Sequence, residues 1–187
     1  EPHIETAEKL YDQCLKSSST VMIGLGGGSV MDIAKLAAQA VGEKRQPLEY
    51  ADDSVKPAQR GLPLILVPTT SGTGSEVSPY QVMKIGEKKK FFLDDFYYPD
   101  MAIIDPLLTV SMPPSVTAST GIDALSHAIE GIMHKNASDF TYTFGKAAIE
   151  MIGKFMRRAV ADGEDLEARY YMSMAASLAM IAMSTSG

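Results

Sequence analysis

The sequence predicts an α/β part followed by an all-α part, divided near residue 112. Three observations carry that prediction. The short apolar run Val21-Met-Ile-Gly-Leu25 passes directly into Gly26-Gly27-Gly28-Ser29 and then into a helical pattern: strand, glycine turn, helix. Two further apolar runs, Leu62 to Val67 and Met101 to Ile104, each close on turn-forming residues. Beyond Met112-Pro113-Pro114 no strand pattern is read, and residues 115–134, 137–160 and 164–183 all carry helical spacing.

Taken in order, residues 3–16 place Ile4, Ala7, Leu10, Tyr11 and Leu15 on a helix that Ser17-Ser18-Ser19 ends. Residues 21–25 read as a buried parallel strand. Val30, Ile33, Ala34, Leu36, Ala37 and Ala40 mark a second helix ending near Gly42. Residues 42–62 are polar, with Pro47, Asp52, Asp53 and Pro57, and read as a surface loop with room for a short helix. Leu62 to Val67 is a second buried strand. Tyr80 to Ile85 fits an edge strand, residues 86–90 a charged turn, and Met101 to Ile104 a buried strand closed by Asp105-Pro106. In the second helical segment Phe144, Ala148, Met151, Ile152 and Phe155 form the apolar stripe; in the third, Leu166, Tyr170, Met174, Ser177 and Met180 do.

Composition narrows the function classes. With 187 residues, 45% of them hydrophobic and 21% charged, the chain can build a packed core and is not disordered. A net charge of −6 with only short basic runs, Lys88 to Lys90 and Arg157-Arg158, argues against a nucleic-acid partner. The single Cys14 excludes an intrachain disulfide and a cysteine zinc site, and fits a reducing cytoplasm. No apolar run approaches the roughly 18 residues of a membrane span, and no signal-peptide pattern is read. The chain opens on Glu1 and stops at Gly187 just after an apolar helical stretch, so both ends are expected to be cut from something longer.

Three stretches carry chemistry. Glycines between a strand and a helix let the backbone turn sharply, and the helix N–H groups then favour a phosphate or pyrophosphate. The run departs from the dinucleotide fingerprint in having Ser29 where a third glycine belongs, and a tight turn without ligand explains it too. Pro68-Thr69-Thr70-Ser71-Gly72-Thr73-Gly74-Ser75-Glu76 follows an apolar strand, where hydroxyls suit phosphate and ribose oxygens in an α/β crevice. Asp123 and His127 are four apart on a predicted helix with Ile122, Leu125, Ile129 and Ile132 at helical spacing. That puts carboxylate and imidazole roughly 40° apart around the axis, one turn above one another. Such a pair reaches one metal ion; a helix-terminal Asp beside a satisfied His fits the spacing as well.

Read together, Gly26-Gly-Gly-Ser-Val-Met-Asp-Ile-Ala-Lys35, Pro68 to Glu76 and Gly121-Ile-Asp-Ala-Leu-Ser-His-Ala-Ile-Glu130 closely resemble the iron-containing (group III) alcohol dehydrogenase family. Pro99-Asp-Met-Ala-Ile-Ile-Asp-Pro106 and Met112-Pro-Pro114 extend the resemblance over essentially the whole chain. It implies a Rossmann-like dinucleotide-binding domain over residues 1–112, lacking its N-terminal part. It also implies a helical metal and substrate domain over 113–187, lacking its C-terminal part, in a dehydroquinate synthase-like architecture with the active site in the cleft between them. By the same resemblance Gly27, Gly28, Ser29 and Asp32 hold the pyrophosphate and neighbouring groups of NAD or NADP. Thr69, Thr70 and Thr73 line the adenosine and ribose side, Val82 and Leu108 pack near the cofactor, and Lys89, or Lys90 in a loop shifted by one, contacts it. Asp123 and His127 match the first two metal ligands and the catalytic pair, with Fe²⁺ or Zn²⁺ as the ion.

The family's two further histidine ligands have no match here: the other histidines are His3 and His134, and His134 reads as a surface or supporting residue. The implied reaction is hydride transfer between a small alcohol and the nicotinamide, or its reverse from an aldehyde or ketone, in a homo-oligomer. A related NAD- and metal-dependent lyase of the dehydroquinate synthase kind is one alternative, and an inactive nucleotide-binding fragment is another. With two of four ligands, the chain by itself is expected to be inactive and prone to self-association.

Overall fold

The computed structural model describes residues 2–186, which form two compact units. The first comprises the described residues 2–67 and Pro79–Ile103; the second comprises Pro68–Ser78 and residues 104–186.

The first unit follows the predicted strand–turn–helix order. Helix α1 (Ile4–Ser17) buries Ile4, Ala7, Tyr11 and Cys14, a three-and-four spacing, and leaves Leu15 exposed. Ser18 ends it in the left-handed region. Strand β1 (Met22–Gly26) leads into α2 (Gly28–Glu43), whose residues 34–41 are all buried. Strand β2 (Leu64–Pro68) lies between β1 and a two-residue β5 (Met101–Ala102), with β2 and β5 parallel.

Gly24 in β1 is required by the closeness of its neighbours. A Cβ there would lie 2.7 Å from Leu66 Cδ2 and 2.8 Å from Ala34 Cβ. Gly42 and Gly61 likewise let two backbone segments touch, since a Cβ on Gly42 would fall 2.5 Å from the Gly61 Cα. The loop after α2 contains a 3₁₀ turn, Pro47–Ala51, and is anchored by one carboxylate. Glu43 accepts from the Tyr50 hydroxyl at 2.6 Å and from the N–H groups of Ala58 and Gln59. Burial opposes its charge; the Tyr50 hydroxyl, those two N–H groups and Arg45 together hold the carboxyl below the ordinary glutamate range.

Three expectations need correction in this unit. β1 is not buried on both faces: Met22, Gly24 and Gly26 are buried but Ile23 and Leu25 are exposed, because only one face has α2 over it. β5 is shorter than the apolar run that predicted it, and both its residues are exposed. Residues 86–90 are not a charged turn. Strand β3 (Tyr80–Ile85) turns on Gly86 and Glu87 into an antiparallel β4 (Lys88–Leu93), which takes in all three lysines. Gly86 has a positive φ of 56°, as a two-residue hairpin turn favours at its first central position. Phe92, at alternating register from Lys90, supplies the strand's buried side.

In the second unit, α3 (Pro114–Met133), α4 (Asp139–Ala161) and α5 (Leu166–Ser184) occupy the predicted segments. Pro114 starts α3, where a missing N–H is harmless. Ser138 caps α4 by accepting from Thr141 N, and Asp165 caps α5 by accepting from Ala168 N. On α4 the stripe is as read, with Ala148, Ile152 and Phe155 buried, whereas the packing faces of α3 and, in part, α5 differ from the sequence reading. On α3 the buried residues are Thr117, Gly121, Ala124, Ala128 and Gly131, whereas Ile122 and Ile129 are exposed. Short side chains let the helices approach closely: a Cβ on Gly131 would meet the Ala182 backbone at 2.9 Å. On α5, Leu166 and Tyr170 are exposed, and Ala168, Met172, Ala175, Ala176 and Ala179 form the core instead.

Arg169 on α5 is enclosed in this helical unit, at 1% exposure. Its guanidinium donates to Thr117 Oγ1 at 2.8 Å and to the carbonyl oxygens of Gly163, Met112 and Val110. Burial pulls its pKa below the ordinary value against the opposing pull of Glu164 and Asp162.

Candidate functional site

The glycine turn places Gly27 at the N-cap of α2, with no side chain capping the helix and no acidic residue in its first turn. The first-turn N–H groups are thus presented toward whatever lies beyond the turn, in a field that favours an anion. Gly27 sits at φ −76° and ψ −176°, extended backbone open to any residue. Its lack of a side chain therefore matters only for close approach. Gly26 has a packing role, since a Cβ there would lie 2.7 Å from Val30 Cβ. Ser29 is exposed and Gly28 half-buried.

Asp32 and Val82, both expected near the cofactor from the family resemblance, are brought together: Asp32 Oδ2 accepts from Val82 N at 3.0 Å, which ties α2 to β3. Lys35, 1% exposed, makes a second tie by donating from Nζ to Tyr80 O at 2.8 Å. Lys89 lies exposed on β4, paired in register with Lys84, while Lys90 forms an ion pair with Asp53.

The loop Pro68–Ser78 belongs by packing to the helical unit. Thr69, Thr70 and Thr73 are half-buried, and Ser71, Ser75, Glu76 and Ser78 are buried. Sequence reasoning gave Glu76 no role and took Ser177 only as part of a stripe. The signal available was the four-residue spacing of Ser173 and Ser177, which puts two hydroxyls on one face of α5. Ser177 Oγ donates to Glu76 Oε1 at 2.7 Å, and Ser71 Oγ and Ser173 Oγ are 3.0 Å apart. Leu108 is half-buried in the 3₁₀ segment Pro106–Thr109 of the same unit.

Asp123 and His127 stand one turn apart on α3, with Asp123 Oδ1 3.8 Å from His127 Nε2. The aspartate side chain is 45% exposed and the imidazole 18%. His127 Nδ1 is buried with no hydrogen-bond partner. One carboxylate and one imidazole facing each other suit a divalent Fe or Zn ion, and an orphaned ring nitrogen marks a histidine whose environment is not complete in itself. The pair therefore fits part of a metal donor set. Among the described residues no cluster of three or more His, Cys, Asp or Glu forms. His134 lies at the C-cap of α3, exposed, its Nδ1 accepting from Asn136 N at 3.3 Å. No described helix is long and apolar enough to cross a membrane.

Comparison with known proteins bears on both units. Residues 1–106 match the family model for iron-containing alcohol dehydrogenase, and residues 117–187 match that for the C-terminal part of the Fe-containing alcohol dehydrogenase family. The chain is 42% identical over its whole length to long-chain-alcohol dehydrogenase 1 of Geobacillus thermodenitrificans, covering 48% of that protein. It is 40% identical to the probable alcohol dehydrogenase EutG of Salmonella typhimurium, again covering 48%. The crystal structure of sulfoacetaldehyde reductase from Bifidobacterium kashiwanohense in complex with NAD+ matches with a TM-score of 0.93 at 35% identity. That match covers 97% of this chain and 49% of the other. The chain spans about half the length of the curated relatives it matches.

Proposed function

The chain belongs to the iron-containing alcohol dehydrogenase family, and on that premise we propose that it supplies cofactor-binding and metal-binding parts of an enzyme interconverting small alcohols with aldehydes or ketones. The observation that carries this reading is the Asp123–His127 pair at 3.8 Å on α3, in the same chain as an uncapped helix start behind three glycines.

In this reading Gly27, Gly28 and Ser29 offer backbone N–H groups to the cofactor pyrophosphate. Asp32 holds β3 against α2, which sets Val82 beside the cofactor. Thr69, Thr70 and Thr73 donate hydroxyls to the ribose and adenosine side, Leu108 gives an apolar wall, and Lys89 a positive charge. Asp123 and His127 hold the divalent ion, Fe²⁺ by family and Zn²⁺ by the same donor chemistry. A bound ion of this kind acidifies an alcohol oxygen. The nicotinamide, when held there, would take up the hydride of the alcohol carbon while the hydroxyl proton passes to solvent, which balances alcohol against aldehyde or ketone. NAD is supported by the NAD+ complex of the sulfoacetaldehyde reductase; NADP serves as the second cofactor to be tried. The relatives' alcohol substrates support a primary alcohol as the first choice.

A cytoplasmic location belongs to the same proposal and is supported by the single buried thiol of Cys14, which needs no oxidising environment. Self-association into a homo-oligomer is supported by Phe91 and Leu93, exposed on one side of β4. The test is reduced-nicotinamide absorbance in the whole protein reconstituted with Fe²⁺ or Zn²⁺, with NAD or NADP, across straight-chain primary alcohols. Metal-dependent net reduction is the expected result. Cofactor binding with no net change in that absorbance for any alcohol would overturn the reading in favour of a lyase or a binding module.

A further inference from the structure

Loop Pro68–Ser78 carries two sets of residues with different surroundings. Ser71 and Glu76 point into the helical unit and meet hydroxyls of α5 one turn apart, Ser173 and Ser177. All four side chains are buried, with residue exposures between 2% and 4%. Between these two ties, glycine alone fits at two places. A Cβ on Gly72 would lie 2.8 Å from Thr120 Cβ. Gly74 has a φ of +61°, and a Cβ there would fall 2.3 Å from Met180 Cβ. The loop is therefore seated on α3 and α5 by four consecutive devices, hydroxyl, glycine, glycine, carboxylate. Thr69, Thr70 and Thr73 are left half-buried, and the Thr73 hydroxyl turns back to accept from Ser75 N at 3.3 Å.

A surface turn has no need of an enclosed carboxylate. Burying one is unfavourable unless its oxygens are hydrogen-bonded, and Ser177 supplies such a bond from a rigid helix. Holding a loop in one conformation before a ligand arrives removes an ordering cost from binding. We propose that Ser173 and Ser177, through Ser71 and Glu76, are positioning residues that fix Thr69, Thr70 and Thr73 for the nicotinamide cofactor. The inference rests on the proposed function above and adds to it a second layer of residues acting on cofactor affinity. The two hydroxyl ties run to α5 and not to α3, which carries Asp123 and His127, so metal retention serves as the internal control.

The experiment compares Ser177→Ala and Ser173→Ala with the unaltered whole protein, by calorimetric titration with NAD+, elemental metal analysis, helical circular dichroism and steady-state kinetics. Each variant should raise the NAD+ Kd and the cofactor KM about tenfold. Metal content, circular dichroism, alcohol KM and kcat should stay as in the unaltered protein. A structural role alone would lower the melting temperature and leave the NAD+ Kd in place; that result in both variants overturns the inference. If Ser177→Ala does not fold, Ser173→Ala decides the matter. Failure of the unaltered protein to bind NAD+ or NADP+ would remove the proposed function and this inference with it. Normal wild-type binding with unchanged variants would remove the inference alone.

Discussion

The start of α2 and the middle of α3 are both helical sites beside small residues, yet they are built from different atoms. At α2 the groups proposed to bind are backbone N–H groups, and in that proposal Gly27 needs only to be small. Every atom of that site comes from residues adjacent in sequence. At α3 the groups proposed to bind are two side chains, and Asp123 with His127 would give two donors where a divalent ion of this kind takes four or more. A backbone site is complete within a few residues of chain; a side-chain metal site has to be assembled from separate segments.

That contrast can be tested by attacking each side in turn. The largest effect is expected from Asp123→Ala or His127→Ala in the whole protein: metal retention and turnover are lost while NAD+ titration is unchanged. Elemental analysis decides it, and wild-type metal content in either variant would sink the ligand assignment. Gly27→Val should do the reverse. Its backbone angles accept valine, and the added side chain should block the pyrophosphate. The NAD+ Kd should rise about 100-fold, or ~2.7 kcal/mol, with metal content intact. An unchanged affinity would make the turn purely structural.

A third change probes stability in the helical unit. Arg169→Leu strands Thr117 and three carbonyl oxygens in a buried setting, and should lower unfolding free energy by about 3 kcal/mol in denaturant titrations. A loss under about 1 kcal/mol would mean water replaces the guanidinium.

The smallest effect lies in the sheet unit and depends on pH. Glu43 is held below its ordinary range when folded. Its contribution is therefore present above the unfolded value, about pH 4.3, and lost as pH falls through the folded one. The amide shifts of Ala58 and Gln59, followed by NMR on acidification, should move first. Shifts that stay constant until global unfolding would show the anchor to be idle.

Much of this was readable from sequence because it is local. The glycine turn, the proline start of α3 and the three helical segments depend on neighbours a few residues away. What escaped depends on layers and distance. Ile23 and Leu25 read as core because an apolar strand gives no sign of how many faces are covered. The face of α3 was taken from its large residues, whereas Gly121, Ala124, Ala128 and Gly131 face the neighbouring helices because close packing selects for small size. Lys88 to Lys90 looked like a turn because charge outweighed the alternation that continues through Phe92. The seat of loop Pro68–Ser78 joins residues about a hundred positions apart, beyond any periodicity.

The enclosed guanidinium of Arg169 also has a consequence for how the helical unit comes together. Its bonds to Thr117, Met112 and Val110 span 52, 57 and 59 residues. None of these oxygens is near the arginine until α3, α4 and the turn after them have doubled back. Before that closure the cation keeps its water, and dehydrating it early would be unfavourable. The entrance of α3 and the first turns of α5 are thus expected to form in one late step and to open together. Neither helix end should fray alone, and native-state hydrogen exchange at both should report a single opening event.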